Sequence, residues 1–196
     1  MNYSNGRGSM RKWIVLGVVA LFLIIIGSFF ISNYNSLVSV NNKVDSQWSQ
    51  VENVMQARAD KVNNLVQVVK GYVKHEEKVF GDIAAARTKL MSGASDVQGK
   101  LNADTSLTNS LKSLSVIVEN YPNLKADTQF TNLQYEIAGS ENRVAQERRR
   151  FIQDVQNYNA KVTRFPSNLF AKLYGFDKKE YFKSEGNTKI NLEGVF

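Results

Sequence analysis

Few side chains in this chain have types and spacings that could do chemistry. His75 is the only histidine and stands beside Glu76 and Glu77, a grouping that offers an imidazole and two carboxylates to a metal ion. A working metal site needs three or four convergent ligands. With no cysteine in the chain, only further carboxylates could complete one. A serine-type triad would have to use the same histidine, and no Gly-x-Ser-x-Gly elbow surrounds any serine. Neither phosphate-cradling glycine loop, the Walker type or Gly-x-Gly-x-x-Gly, is present. The expectation is a non-enzymatic protein with no catalytic residue, no metal site and no cofactor.

The densest basic cluster is Arg143 with Arg148, Arg149 and Arg150, followed by Lys161, Arg164 and Lys172. Arg148, Arg149 and Arg150 are candidate contacts for an anion or an anionic lipid headgroup. Against that, Glu141, Glu147 and Asp154 stand at helical spacing and can neutralise the cluster as a solvated face. The net charge is +7, and leaving out Arg7, Arg11 and Lys12 reduces it to a mild +4. A nucleic-acid surface needs a denser patch with aromatic platforms, so no nucleic-acid partner is expected. Arg58 and Asp60 in one apolar stripe, and Arg143 in another, are more informative. Charges inside a core are tolerated when paired, and one use is to fix helix register. Arg58 or Asp60 is expected to meet Glu141 or Arg143 across a helical bundle.

The elements that would position these groups begin with a membrane segment. Residues 13–32 read WIVLGVVALFLIIIGSFFIS, without charge or proline. In lipid every backbone polar group must be satisfied within the segment, so this run is a transmembrane helix of ~30 Å. It is longer than a signal peptide's apolar region, and its bulky exit, Phe29 to Tyr34, does not suit cleavage. An uncleaved signal anchor is expected. Arg7, Arg11 and Lys12 precede the span, and the first cation after it is Lys43. The positive-inside bias puts the N-terminus in the cytoplasm and the remainder outside it. The resulting map is a basic N-terminus at 1–12, an anchor at 13–32, a helical bundle at 34–176 and a polar tail at 177–196, expected to be flexible.

From Leu37 apolar residues recur at 37, 40, 44, 48, 51, 55, 62, 65, 69, 72, 79/80 and 83. The mean step of about 3.5 is the period of a helix that packs along a coiled-coil-like seam. A helix from about Tyr34 to Leu90 would be ~85 Å long, with Gly71 and Gly81 as possible bends. Residues 92–95 and Gly99 signal a loop. A second helix carries Leu101, Leu107, Leu111 and Leu114 and ends before Tyr121-Pro122. A short connection from Asn120 to Ala126 leads to Asp127, a helix N-cap. The third helix carries Phe130, Ile137, Val144, Phe151, Val155, Tyr158, Val162 and Phe165, and Pro166 stops it. A short amphipathic helix, 167–174, closes on Gly175. The expected fold is all-α: one N-terminal transmembrane helix, then an antiparallel bundle with a very long first helix. Trp48, Val51 and Met55 should be buried against Val144, Phe151, Val155 and Tyr158.

These residues together resemble the LemA family of bacterial membrane proteins. The match runs through Tyr34-Asn35-Ser36-Leu37-Val38, Trp48, Arg58-x-Asp60, Asn64-Leu65-Val66 and Val69-Lys70-Gly71-Tyr72-x-x-His75-Glu76. It continues through Ala86-Arg87, Tyr121-Pro122-x-Leu124-Lys125-Ala126, Phe130-x-x-Leu133-Gln134 and Glu141-Asn142-Arg143. Tyr158-Asn159, Phe165-Pro166-Ser167-Asn168 and Gly175-Phe176 complete it. Asn63 stands where the family usually has Pro, and Ile152 departs from a Tyr-Asn pair; both concern local helix geometry. The resemblance implies a single-pass membrane protein with an antiparallel helical bundle, and it supplies no catalytic residue. The functional expectation is a membrane-anchored scaffold or assembly protein. Its partners would be the lipid bilayer and either copies of itself or another membrane protein. The alternative is a ligand- or lipid-sensing module using the Arg143 to Arg150 cluster.

Overall fold

Nothing between Ser32 and Leu37 breaks a helix, and none breaks there. The computed structural model describes residues 6–73, 75–93 and 96–180. They form α1 (Gly6–Lys70), α2 (Glu77–Thr88), α3 (Val97–Val118), α4 (Pro122–Lys125), α5 (Thr128–Thr163) and α6 (Ser167–Tyr174). No strand occurs among the described residues, so the all-α expectation is borne out. In α1 the segment from Lys12 is long and apolar enough to cross a membrane. Among the described residues its large side chains from Trp13 to Ile26 are exposed. An apolar surface of that extent needs lipid rather than water around it.

The chain divides into two compact units, one of residues up to Val44 with Asp154–Lys179 and one built on Asp45–Gln153. Side-chain pairs give the helix directions within the second. Gln47 meets Glu147, Lys61 meets Glu136, and Tyr72 meets Asp127. As the α1 number rises the α5 number falls, so these helices are antiparallel. Asp60 meets Arg87, and Lys70 lies over the ring of Phe80, so α2 is antiparallel to α1 as well. Glu52 pairs with Lys100 and Arg58 with Asp104; both numbers rise, and α3 runs parallel to α1. The unit is an up-down-up-down four-helix bundle of α1, α2, α3 and α5.

The very long first helix is therefore present, but its C-terminal boundary is not at Leu90. It stops at Lys70, where the Gly71 and Tyr72 amides turn back to the Val68 and Val69 carbonyls at 3.1 and 2.9 Å. A side chain at Gly71 would crowd the Val68 carbonyl at 3.2 Å, so glycine suits this tight exit. Gly81 lies inside α2 and breaks nothing. The end of α2 passes into a π-helical turn, Lys89–Gly93, over part of the expected loop; residues 94 and 95 of that loop lie outside the described residues. The connection at 120–126 contains the short helix α4, started by Pro122 at a position where a missing N–H costs nothing.

The α1 stripe is buried at Leu37, Val44, Val51, Met55, Val62, Leu65 and Val69. Trp48 is half-buried, its ring edge-on to Phe151 at 5.3 Å. Three placements differ from the periodic reading. Tyr72 is exposed because the helix has already ended, Asp60 points to solvent, and Arg143 is exposed on α5. In the first unit, Leu37, Val44, Val155, Tyr158 and Val162 are buried, and Lys43 bonds Asp154 at 2.8 Å. α5 ends at Thr163, so Phe165 leaves the stripe and is exposed. Gly175 closes α6 at φ 73°, a left-handed cap that glycine enters without strain. Residues 177–179, read from sequence as the start of the tail, are joined to α5. The Tyr158 hydroxyl donates to the Asp177 carbonyl at 2.8 Å, and the Asn159 amide exchanges bonds with the Lys179 backbone at 2.8 and 2.9 Å. Residues 181–196 of that tail lie outside the described residues.

Asp127 caps α5 as its type and position predict. Its Oδ1 accepts the Phe130 N–H at 2.9 Å, and its Oδ2 accepts the Tyr72 hydroxyl at 2.8 Å. The Phe130 amide first, and the Tyr72 hydroxyl second, favour the ionised carboxylate and hold its pKa below the ordinary 3.8. A depressed native pKa stabilises the fold above the unfolded value, and that contribution is lost as pH falls through the native one. Asp127→Asn should therefore flatten the acid-side decline of the thermal midpoint below pH 3.8, followed by circular dichroism. An unchanged decline would mean that the cap is not coupled to folding.

Candidate functional site

Arg58 is the largest side chain that is fully buried, at 0 % exposure. It lies on the inward face of α1, one position from Ala59 and four from Val62, both buried. A guanidinium in a helical core is costly unless its donors are met. Here α3 and α5 meet them. Nη1 donates to Asp104 Oδ1 at 2.6 Å. Nη2 donates to Thr108 Oγ1 at 2.9 Å and to Glu141 Oε2 at 3.3 Å. Thr108 in turn donates to the Asp104 carbonyl at 3.1 Å, which orients its lone pairs toward the arginine. The Nε–H is buried without a hydrogen-bond partner among the described residues.

The two carboxylates differ. Asp104 is buried with the arginine, whereas the Glu141 side chain is half exposed. Asp104 thus forms a desolvated pair in which the Coulomb term is strong, and Glu141 a partly screened one. Beside Arg58 a half-open cavity of about 190 Å³ is walled by Leu65, Leu114, Phe130 and Ile137, with Lys112 and Gln134 also lining it. Arginine offers donors only, and here they are taken up by two carboxylates and a threonine hydroxyl. Through these bonds one α1 side chain joins α1 to α3 and α5.

Of the pairings expected from sequence, Arg58 with Glu141 is present. Asp60 instead meets Arg87 at 3.4 Å on the surface, because it points away from the stripe. Asp104 and Thr108 escaped the sequence reading. The signal was available, since Asp104 interrupts the α3 stripe midway between Leu101 and Leu107 just as Arg58 interrupts that of α1. The arginine cluster lies on α5: Arg148 is half-buried, Arg149 is exposed, and Arg150 bonds Glu147 at 2.8 Å. Glu147 also accepts from Gln47 at 2.8 Å, so part of the cluster is tied to the bundle. His75 is exposed between α1 and α2. No group of three or more His, Cys, Asp or Glu side chains placed to hold a metal ion occurs among the described residues.

Comparison with known proteins places residues 47–193 within the LemA family; the matched region includes Arg58, Asp104, Thr108 and Glu141. Magnetosome protein MamQ of Magnetospirillum gryphiswaldense is 26 % identical over 218 residues, covering 97 % of this chain and 79 % of that protein. Magnetosome protein MamQ 2 of Paramagnetospirillum magneticum is 24 % identical over the same shares. Protein LemA of Metamycoplasma hominis is 22 % identical, covering 96 % of this chain and 90 % of its own length.

Removing one partner of a buried pair leaves the other charge uncompensated, at a cost of about 3–5 kcal/mol, whereas replacing both by apolar groups is often neutral. Arg58→Met should lower stability by that amount, and adding Asp104→Leu should restore most of it. A double-mutant cycle read by chemical unfolding of the detergent-solubilised chain checks this. Simple additivity of the two changes would show that Arg58 and Asp104 act independently.

Proposed function

The chain belongs to the LemA family, and on that premise we propose that it is a non-enzymatic, membrane-anchored helical scaffold. It assembles with copies of itself or with another membrane protein. One observation carries the proposal: α1 is continuous from Gly6 to Lys70. The apolar residues of the span and the residues of α1 that line the bundle core therefore belong to one continuous helix. Support also comes from the relatives: two carry the name magnetosome protein, which suits a structural role at a membrane, and none of those names is that of an enzyme. A sensory role through Arg148, Arg149 and Arg150 has less support, because Glu147 already engages Arg150.

A scaffold of this kind should not be a lone monomer. Light scattering of the full chain in detergent should give a protein mass above one chain, and crosslinking in native membranes should capture a specific adduct. A strictly monomeric particle with no adduct would reject the proposal.

The bundle is proposed to lie outside the cytoplasm, in the cell membrane. Arg7, Arg11 and Lys12 border the entry of the span, while no cation follows its exit until Lys43, and cations close to a span resist translocation. Protease added to spheroplasts should digest the bundle and spare an N-terminal tag. The reverse pattern would invert the topology and leave the anchor in place.

A further inference from the structure

Helix α6 is apolar on two opposite sides, and among the described residues only one of them is covered. On the inner side Phe170 and Ala171 are buried. The Phe170 ring meets Phe29 and Phe30 edge-on, with centroids 5.7 and 4.8 Å apart. On the outer side Leu169 is 58 % exposed and Leu173 67 %, while Phe165, just before the helix, is 80 % exposed. Leu169 and Leu173 are four residues apart, so they share one face. Leu169 and Leu173 thus form an apolar face that water does not favour, and Phe165 adds a third exposed apolar side chain two residues before the helix.

What covers the patch follows from what the inner side rests upon. Phe29 and Phe30 belong to the last turn of the 13–32 span, about 3–5 Å from its end at the helical rise. An element docked there lies where hydrocarbon gives way to headgroups. The next residues toward water agree with that level. The rings of Tyr34 and Tyr174 are 4.9 Å apart and both are exposed, and tyrosines of this kind concentrate at membrane–water interfaces. Arg164 and Lys172 are exposed on either side of Leu169, where long cationic side chains reach headgroup phosphates while their stems stay apolar.

We propose that α6 is an interfacial membrane helix. It packs through Phe170 on the exit end of the span and seats Phe165, Leu169 and Leu173 among the acyl chains just below the headgroups of the same leaflet. The occupant of the outer face is the lipid bilayer. The first unit is thereby held to the membrane by two elements, the span and α6, which limits its tilt and rotation about the anchor. The proposal rests on residues 13–32 being that anchor.

The chain has no cysteine, so single-site spin labels carry no background. Phe165→Cys, Leu169→Cys and Leu173→Cys change exposed positions and leave the Phe170 packing alone. Leu23→Cys reports the span, and Val116→Cys, exposed on α3, reports water. The labelled full-length chain is placed in vesicles of phosphatidylcholine and phosphatidylglycerol. Collision with dissolved oxygen is compared with collision with a water-soluble nickel chelate. Oxygen should exceed nickel several-fold at 165, 169 and 173, as at 23, with the reverse at 116. Nickel access at 169 and 173 equal to that at 116, with 23 still oxygen-rich, overturns the proposal while the anchor stands. Immobile labels shielded from both reagents also overturn it, since a protein surface would then cover the face. Nickel access at 23 removes the anchor and the proposal together.

Discussion

Inside a bilayer the backbone has no water to bond with, so an uncharged run of twenty residues has no spanning option except a helix. In this chain the helix that carries the apolar run does not stop where the run ends. α1 continues to Lys70, and the face that would otherwise be lipid- or solvent-exposed becomes, from Leu37 onward, the first wall of a protein core. One element therefore answers to two solvents in turn. Its change of environment is written in composition: uniformly apolar to Ser32, then apolar only at three-four spacing.

Within the bundle the core is not uniformly greasy. A guanidinium held between Asp104, Thr108 and Glu141 replaces what would otherwise be interchangeable aliphatic contacts. Apolar packing alone discriminates poorly between registers one turn apart, because one Leu or Val layer is much like the next. A buried arginine whose donors are met at a single offset makes the alternatives costly, since slippage would leave charges desolvated and unpaired. Such a device suits a bundle built on a long helix, where registers are many. The cavity beside it shows that packing around the bulky polar group is incomplete on one side.

How much of this was legible depended on whether the deciding physics was local. The cap at Asp127, the end of α5 shortly before Pro166 and the left-handed Gly175 were readable because each follows from a residue's own backbone preferences and its immediate neighbours. The apolar stripe on α1 was readable because burial of one helix face imposes a period. The end of α1 was less so. Gly71 and Gly81 look alike in sequence, yet only Gly71 ends a helix. A glycine weakens a helix by about 1 kcal/mol, too little to decide by itself, and the packing of α2 back along α1 decides instead.

The same division holds for the functional groups. By itself the sequence determined a segment long and apolar enough to span a membrane, the all-helical class, the family and the suspicion attached to Arg58, because composition, periodicity and motif order carry these without reference to distant residues. Only the tertiary structure decided that Arg58 meets Asp104 as well as Glu141, that Asp60 and Arg143 face solvent, and that Phe170 docks on Phe29 and Phe30. Each of these joins residues on different helices, 46 positions apart for Arg58 and Asp104. A periodic pattern says which face of a helix is buried; which partner lies opposite depends on the direction and offset of another helix, and those exist only once the chain is folded.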